Sequence, residues 1–399
     1  MRSRSFAMMF CALATFTGAA EARDFRVLYQ FGGGADGDGS VDQLARDSAG
    51  NLYGVTGQNA DSFGTVFSVS PGGAKTLLHD FAFLHGTPSN PTGGVVEDAQ
   101  GNLYGEAVNG GLYVCDDIVA AFGDCGSVYK LDGNGTLTSL HSFQGDVDGG
   151  GPGGGLLIDS SGNLYGTTKY GGTGSFCSGG CGTVFKIASD GTKTTLYNFA
   201  GQSDGARPTG ALIADGQGNL YGTTALGGSG FGTVFKVTPG GSGSVLHAFD
   251  GTDGGQPSNG LVMDASGNLY GTTATGGPGG GQYGEVFKLA SNGTLSVLHA
   301  FNHASGDGVY PQGNLTLGAN GNLYGVTTEG GTGCASYGCG TIFRITKDGA
   351  YAQLYKINGK TAHNPLGGLV GDGKGNVYGS ALGPYGKATQ PGILFALEK

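Results

Sequence analysis

An all-β ring of repeated four-stranded sheets is the fold this sequence predicts, and three observations predict it. The pentapeptide Gly-Asn-Leu-Tyr-Gly begins at Gly50, Gly101, Gly162, Gly218, Gly267 and Gly321, with Gly-Asn-Val-Tyr-Gly at Gly375, so seven copies recur at intervals of 49 to 61 residues. Glycine supplies 87 of 399 residues, roughly three times its usual share. Of the 30 acidic residues, 24 are Asp and 6 are Glu, a bias towards turns and away from helices. No Gly-X-Y period exists, which excludes collagen. A hydrophobic content of 38%, with 21 Phe and 18 Tyr, excludes a disordered linker. About 50 residues per repeat, holding four short strands, describe a seven-bladed β-propeller.

The first element in chain order lies outside that fold. Arg2 and Arg4, the apolar run Phe6 to Thr17 and the small-x-small sequence Ala20-Glu21-Ala22 predict a secretory signal peptide over residues 1–22, cleaved near Ala22. Met8-Met9-Phe10 before Cys11 does not fit a lipidation site. Residues 23–399 then form one propeller domain. No later stretch approaches the ~20 apolar residues of a membrane helix, so the expectation is a soluble monomer, secreted or periplasmic. A net charge of -10 argues against a nucleic-acid partner, which requires a basic face.

Each repeat reads as four strands, named a to d from the axis outward. In one unit they are Gly260-Leu261-Val262-Met263-Asp264, Asn268-Leu269-Tyr270-Gly271-Thr272-Thr273, Gly284-Glu285-Val286-Phe287-Lys288 and Ser296-Val297-Leu298-His299-Ala300-Phe301. These are runs of β-formers bounded by Gly, Asn, Asp and Ser. The last unit ends after Ile393-Leu394-Phe395-Ala396-Leu397 and has no fourth strand, while Arg26-Val27-Leu28-Tyr29-Gln30-Phe31 matches the fourth-strand pattern. The N-terminal strand is therefore expected to complete the last blade and remove its open edge.

The recurring polar and aromatic residues read as scaffold. Asp47, Asp98, Asp159, Asp215, Asp264 and Asp372 open the a–b turn, with Gly318 in the remaining copy, and Asp in that place accepts from turn N–H groups. The Tyr of the pentapeptide and the aromatic of strand c recur in every blade and are expected to pack one sheet on the next. Strand d alternates His79, His141, His247 and His299 with Tyr29, Tyr197 and Tyr355, which asks for bulk with a polar tip. Pro91, Pro152, Pro208, Pro257, Pro311 and Pro365 fix the entry to strand a, and the small residues after them let inner strands crowd one axis.

The unit Gly-Asn-Leu-Tyr-Gly-Thr-Thr…Gly-Gly…Gly-Thr-Val-Phe-Lys…Leu-His-x-Phe resembles the GloVer (Gloeobacter–Verrucomicrobia) tandem repeat, also described among extracellular HAF-type repeats. The resemblance covers Phe25 to Lys399. It implies an exported bacterial β-propeller and carries over no activity and no catalytic residue. Members commonly add a C-terminal sorting anchor, whereas this sequence ends in Phe395-Ala396-Leu397-Glu398-Lys399.

Function is expected in the parts that vary. In a propeller the d–a and b–c loops share one face, and here these are the long loops. Cys115 and Cys125, Cys177 and Cys181, and Cys334 and Cys339 form three local pairs in b–c loops, read as disulfides of an oxidising compartment, with metal binding as the rival reading. Asp36, Asp38, Asp146, Asp148, Asp250 and Asp253 lie in Asp-Gly d–a loops; turn formation is the simpler reading and Ca²⁺ ligation the alternative. Non-repeating polar residues on this face are candidates for a site: Glu106, Glu329, Lys169, Tyr170, Arg207 and His303 for catalysis, and Tyr170, Tyr310 and His363 for ligand binding. Glu106 and Glu329 would form an acid–base pair only by meeting across the channel mouth. The function expected is a binding module for a glycan, envelope polymer or protein. The alternative is a channel-mouth enzyme: a calcium-assisted hydrolase, a lactonase or a polysaccharide lyase.

Overall fold

The computed structural model describes residues 23–33, 36–37, 42–57, 63–82, 86–113, 115, 124–257, 259–276, 282–303, 306–334, 337–386 and 391–399. The predicted signal peptide and Asp38 lie outside them. The strands form seven antiparallel sheets of four or five strands each. Blades 1 to 7 begin at Ala45–Arg46, Pro88–Glu97, Gly150–Pro152, Ala206–Ala214, Val262–Met263, Gly308–Leu317 and His363–Pro365. Blade 5 shows the pattern: strand a is followed by Leu269–Thr273, Glu285–Leu289 and Leu295–Ala300. The fourth strand of blade 7 is Asp24–Gln30, paired antiparallel with Ile393–Glu398 from Asp24 opposite Glu398 to Gln30 opposite Ile393. The ring closes as the sequence predicts. Among the described residues no helix is long and apolar enough to cross a membrane.

The pentapeptide is explained position by position in blade 5. Gly267 has φ +77°, a left-handed turn conformation that other residues adopt with strain. Asp264 accepts from the Asn268 N–H at 3.0 Å, from Asn268 Nδ2 at 2.7 Å and from the Tyr270 hydroxyl at 2.9 Å. Leu269 is buried between blades 4 and 5. Gly271 serves a different need from Gly267: a Cβ there would sit 2.7 Å from Cζ of Phe287. Blade 6, with Gly318 in place of the Asp, turns Tyr324 inward until it is buried.

Phe287 belongs to the contact that joins blades. The Phe that follows strand d of one blade meets the strand c aromatic of the next edge to face. The pairs are Phe31–Phe67 at 5.2 Å, Phe81–Tyr129 at 5.3 Å, Phe143–Phe185 at 5.2 Å, Phe199–Phe235 at 5.0 Å, Phe249–Phe287 at 5.3 Å and Phe301–Phe343 at 5.4 Å. At the seventh interface Ile357 takes the place of the Phe and packs in one cluster with Phe395. The strand d His and Tyr rings stack edge-on against these Phe residues, as His247 does on Phe249 at 4.8 Å.

The inner strands leave little room at the axis. A Cβ on Gly210 would lie 2.2 Å from the Gly260 nitrogen, and one on Gly313 would lie 2.3 Å from the Gly368 nitrogen. Asn314 also ties inner strands together: its Oδ1 accepts from the Gly260 N–H at 2.5 Å and its Nδ2 donates to Gln43 Oε1 at 2.9 Å. Each entry proline packs on a strand c glycine of the preceding blade, as Pro311 Cδ does 2.6 Å from the Cβ position of Gly284.

Deleting residues 23–31 removes both the closing strand and Phe31, the partner of Phe67. Losing a buried Phe alone costs about 3–5 kcal/mol. The truncated chain is expected to melt at least about 5 °C below the intact one, and a melting midpoint equal to that of the intact protein in a calorimetric scan contradicts the closure.

Candidate functional site

Five of the loops that enter a blade, those leading into blades 1, 3, 4, 5 and 6, are built on a carboxylate. In the loop entering blade 1, Asp36 accepts from the Tyr29 hydroxyl at 2.8 Å, from the Gly32 N–H at 2.5 Å and from Lys75 Nζ at 2.5 Å. Asp148 does the same work before blade 3, bonded to His141 Nε2 at 2.9 Å, the Gln144 N–H at 3.1 Å and Lys193 Nζ at 2.5 Å. Burial raises the Asp148 pKa, but the His141 and Lys193 contacts outweigh it and hold the carboxyl at about 2. Asp204 accepts from Tyr197 at 3.0 Å, Asp253 from His247 at 2.7 Å and Asp307 from His299 at 2.6 Å. The polar tip of strand d thus has a specific task, which is to hold the loop that leads into the next blade.

This geometry places the predicted calcium ligands. Asp36, Asp148 and Asp253 serve as loop anchors. Asp146 sits in a three-residue 3-10 turn, Asp146–Asp148, at φ 40°. Asp250 accepts from the backbone and hydroxyl of Thr252 at 2.8 and 2.7 Å. Among the described residues no group of three or more His, Cys, Asp or Glu stands where it could hold a metal ion.

The three local cysteine pairs are disulfides: Cys115–Cys125, Cys177–Cys181 and Cys334–Cys339. They lie in the b–c loops of blades 2, 3 and 6. Bonds between cysteines belong to an oxidising, extracytoplasmic compartment. The second cysteine of each pair also accepts a backbone bond from the next blade: Cys125 O from Gly151, Cys181 O from Arg207 and Cys339 O from Asn364, at 3.0, 2.9 and 2.8 Å. These donors precede the entry prolines and have left-handed backbones, with φ 64°, 53° and 45°. Asn90, Gln256 and Tyr310 stand in the same place in blades 2, 5 and 6, with φ 55°, 52° and 57°, and donate to Phe63, Phe231 and Tyr283.

Two groups of candidates come together on this face. Tyr170 is flanked by Lys169 and Arg207, each cation 5.7 Å from its ring centre. Tyr310 and His303 gather on Tyr283, at 6.2 and 6.1 Å, and Tyr337 lies 6.3 Å from His303. Large apolar side chains are also exposed in these loops, among them Leu112, Tyr113, Phe176, Phe231, Tyr337 and Tyr385, with Phe176 and Tyr337 67% and 64% accessible. Tyr170 and Tyr310 stand out in the sequence as non-repeating polar residues; the other aromatics do not, although Phe176 and Tyr337 stand beside or between paired cysteines.

Two candidates are placed differently from the expectation. Glu106 does not stand on the loop face but in the middle of strand b of blade 2, Leu103–Gly110, fully buried. Its Oε2 accepts from the Gly155 N–H of blade 3 at 2.8 Å, while Oε1 has no partner among the described residues. Glu329 stands at the far end of strand b of blade 6, opposite Val309, so the structure does not assemble the acid–base pair. His363 is buried in strand a of blade 7, its Nδ1 2.6 Å from the Gly383 carbonyl, because the chain there is already sheet rather than loop.

At the axis the position that is glycine in most blades is occupied by Asp42 and Asn259, which the sequence reading passed over. Asp42 Oδ2 accepts from the Gly93 N–H at 3.1 Å. Asp42 stays open to solvent, yet enclosure by the inner strands raises its pKa against that bond.

Burial pushes the Glu106 carboxyl up to about 8, against the bond from Gly155. A folded-state pKa above the unfolded value favours the protonated fold. The associated stability is complete below the ordinary Glu range and is lost as pH rises towards 8. Glu285, raised to about 7 by burial and by Asp253, acts in the same direction. Glu106→Gln is expected to flatten the decline in stability between pH 5 and 8 by up to about 1.4 kcal/mol per pH unit. Chemical denaturation across that range checks this, and a slope equal to wild type contradicts it.

Comparison with known proteins adds a family and a fold. No curated protein matches the sequence. The extracellular domain of a hybrid two component system of B. thetaiotaomicron has 16% identity and a TM-score of 0.58 over 95% of this chain. This chain covers 43% of that structure, less than half its length, and the likeness shows the propeller fold. A gluconolactonase of Xanthomonas campestris aligns at 15% identity over 90% of this chain and 95% of its own, with a TM-score of 0.44. A luciferin-regenerating enzyme aligns at 10% identity over 95% and 96%, with a TM-score of 0.48. These two likenesses are too loose to bear on activity. The Gloeobacter/Verrucomicrobia repeat model matches three times, over residues 14–173, 119–279 and 229–399. Together the three matches run from residue 14 to residue 399, and the chain belongs to the Gloeobacter/Verrucomicrobia repeat family.

Proposed function

We propose that this chain is an exported binding propeller that recognises a glycan, free or within an envelope polymer, through its loop face. The observation that carries this reading is the placement of exposed aromatics in disulfide-pinned loops. Tyr113 is two residues before Cys115, Phe176 adjoins Cys177, and Tyr337 lies between Cys334 and Cys339. Aromatic faces stack on sugar rings, and a ring held on a short cross-linked loop loses little freedom on binding. Exposed apolar groups gathered on one face mark an interaction site. The Lys169–Tyr170–Arg207 group adds positive charge beside an aromatic face, which suits an acidic sugar.

The enzyme reading draws less support. A hydrolase, lactonase or lyase of this shape needs convergent acids at a deep axial pocket. Glycine packing and the Asn314 bridge narrow the axis, and Glu106 faces the interior.

The test is a panel of glycans and purified envelope polymers, scored for retention and for product in parallel. The triple variant Tyr113→Ser, Phe176→Ser, Tyr337→Ser is expected to lose binding at least about tenfold at an unchanged melting temperature, in keeping with loss of several aromatic anchors. Retention equal to wild type sinks the reading, and product released from a panel member replaces it with catalysis. Retention of proteins alone replaces the glycan with a protein ligand.

A further inference from the structure

Blade 5 departs from its sisters at one buried place. At the mouth of the b–c hairpin, four blades pair two threonines whose hydroxyls bond to each other. These are Thr56 with Thr65 at 2.9 Å, and Thr168 with Thr183, Thr224 with Thr233 and Thr327 with Thr341 at 2.8 Å. In blade 5 the paired residues are Thr273 and Glu285. Glu285 is fully buried. Neither of its carboxylate oxygens, nor the Thr273 hydroxyl, has a partner among the described residues. Both groups converge under the loop that enters the blade: a Cβ on Gly254 would lie 3.1 Å from Glu285 Oε2 and 3.0 Å from Thr273 Oγ1. Asp253 immediately precedes that glycine, and its charge acts on Glu285.

Blades 1 and 3 show a different arrangement. Asp36 and Asp148, the counterparts of Asp253, are each met by a lysine ammonium at 2.5 Å, from Lys75 and Lys193 at the start of strand d. Blade 5 has Leu295 at that position. Blade 5 thus lacks the cation of blades 1 and 3 and carries a buried carboxylate besides. Two neighbouring carboxylates with no lysine between them repel, and a buried one lacks the solvation that would support its charge. An added cation relieves both.

We propose that a divalent cation of the calcium class binds between strand c of blade 5 and the loop Asp250–Gly254, held by the Glu285 carboxylate, Thr273 Oγ1 and the Asp253 carboxylate. An all-oxygen donor set selects a hard cation, and water completes the coordination that calcium requires. Asp253 is already oriented for the purpose, with His247 Nε2 on Oδ2 at 2.7 Å and the Asp250 N–H on Oδ1 at 3.0 Å. Such partners behind a ligand fix its direction. Asp36 and Asp148, neutralised by lysine, take no ion. The ion would secure the loop between blades 4 and 5 and so belongs to the scaffold of the face, whatever that face binds.

The full chain, stripped with chelator and titrated with CaCl₂, tests this by calorimetry and thermal melting, with MgCl₂ and ZnCl₂ run alongside. One saturable calcium site and an upward shift of several degrees in the melting midpoint are expected. Glu285→Thr restores the threonine pair of the sister blades, so it is expected to fold and to lose both the binding heat and the shift. Asp36→Asn is expected to keep both. The proposal is overturned if wild type shows neither heat nor shift, if zinc is preferred to calcium, or if Glu285→Thr responds as wild type does. In the first case Glu285 is held neutral by a proton, which a pH-dependent stability abolished in Glu285→Thr identifies directly.

Discussion

Each blade is wedged onto the next by an edge-to-face pair of aromatic rings, and most of the repeat follows from making room for that wedge. Phe249 reaches forward from blade 4 and Phe287 receives it in blade 5. Phe287 can lie there only because strand b beneath it carries glycine at 271. Aromatic pairs of this geometry contribute beyond the area they bury, and here the contact recurs around the ring. The N-terminal strand therefore does more than pair an open edge. It delivers Phe31 to Phe67 and supplies the wedge between the last blade and the first, so hydrogen-bonded closure and packed closure come from the same nine residues.

A second layer of contacts makes the loops dependable without making them alike. In five of the d–a loops an Asp is gripped by the His or Tyr at the tip of strand d. The grip tolerates several partners on the neighbouring blade: Lys75 and Lys193 as cations, Tyr351 as a hydroxyl donor to Asp307 at 2.6 Å, and Leu295 as none. Tyr351 also stacks flat on His299 at 3.6 Å. The scaffold thus fixes where a loop begins and ends while its charge varies from blade to blade. In blade 5 that variation leaves a carboxylate excess, and a site emerges from a change of counter-ion rather than from a new motif.

The fold was legible because its determinants are local and repeated. The Asp–Asn–Tyr hairpin, the strand c aromatic and the short-range cysteine pairs all lie within a few tens of residues and recur. What was not legible depends on the space between blades. Glu106 occupies a strand position where its sisters carry Thr167, Val326 or Ser380, and only the arrival of Gly155 from the next blade shows that it is interior. His363 looked like a loop residue because strand a of blade 7 is interrupted. Glu285 stands in plain sight in the phrase Gly-Glu-Val-Phe, where other copies read Gly-Thr-Val-Phe. Its significance appears only when each hydroxyl-bearing sister is seen to bond to the strand b threonine opposite.

The same comparison across blades explains why the face can display aromatic groups at all. The residue ahead of the strand c glycine is Phe63, Phe231 or Tyr283 in blades 1, 4 and 5 and Cys125, Cys181 or Cys339 in blades 2, 3 and 6. In both sets its carbonyl accepts the N–H of the residue before the entry proline of the next blade, at 2.7 Å for Phe63 and 2.9 Å for Cys181. The backbone role is therefore constant, and an aromatic ring or a disulfide serves as the local anchor. Where a disulfide anchors the loop, its exposed aromatics stand elsewhere in that loop: Tyr113, Phe176 and Tyr337 occur in the three cross-linked loops. A bridge across so few residues constrains the unfolded chain less than one that closes a long loop. Its contribution is to hold an apolar ring in water at a defined place, which a flexible glycine-rich loop would otherwise fold away.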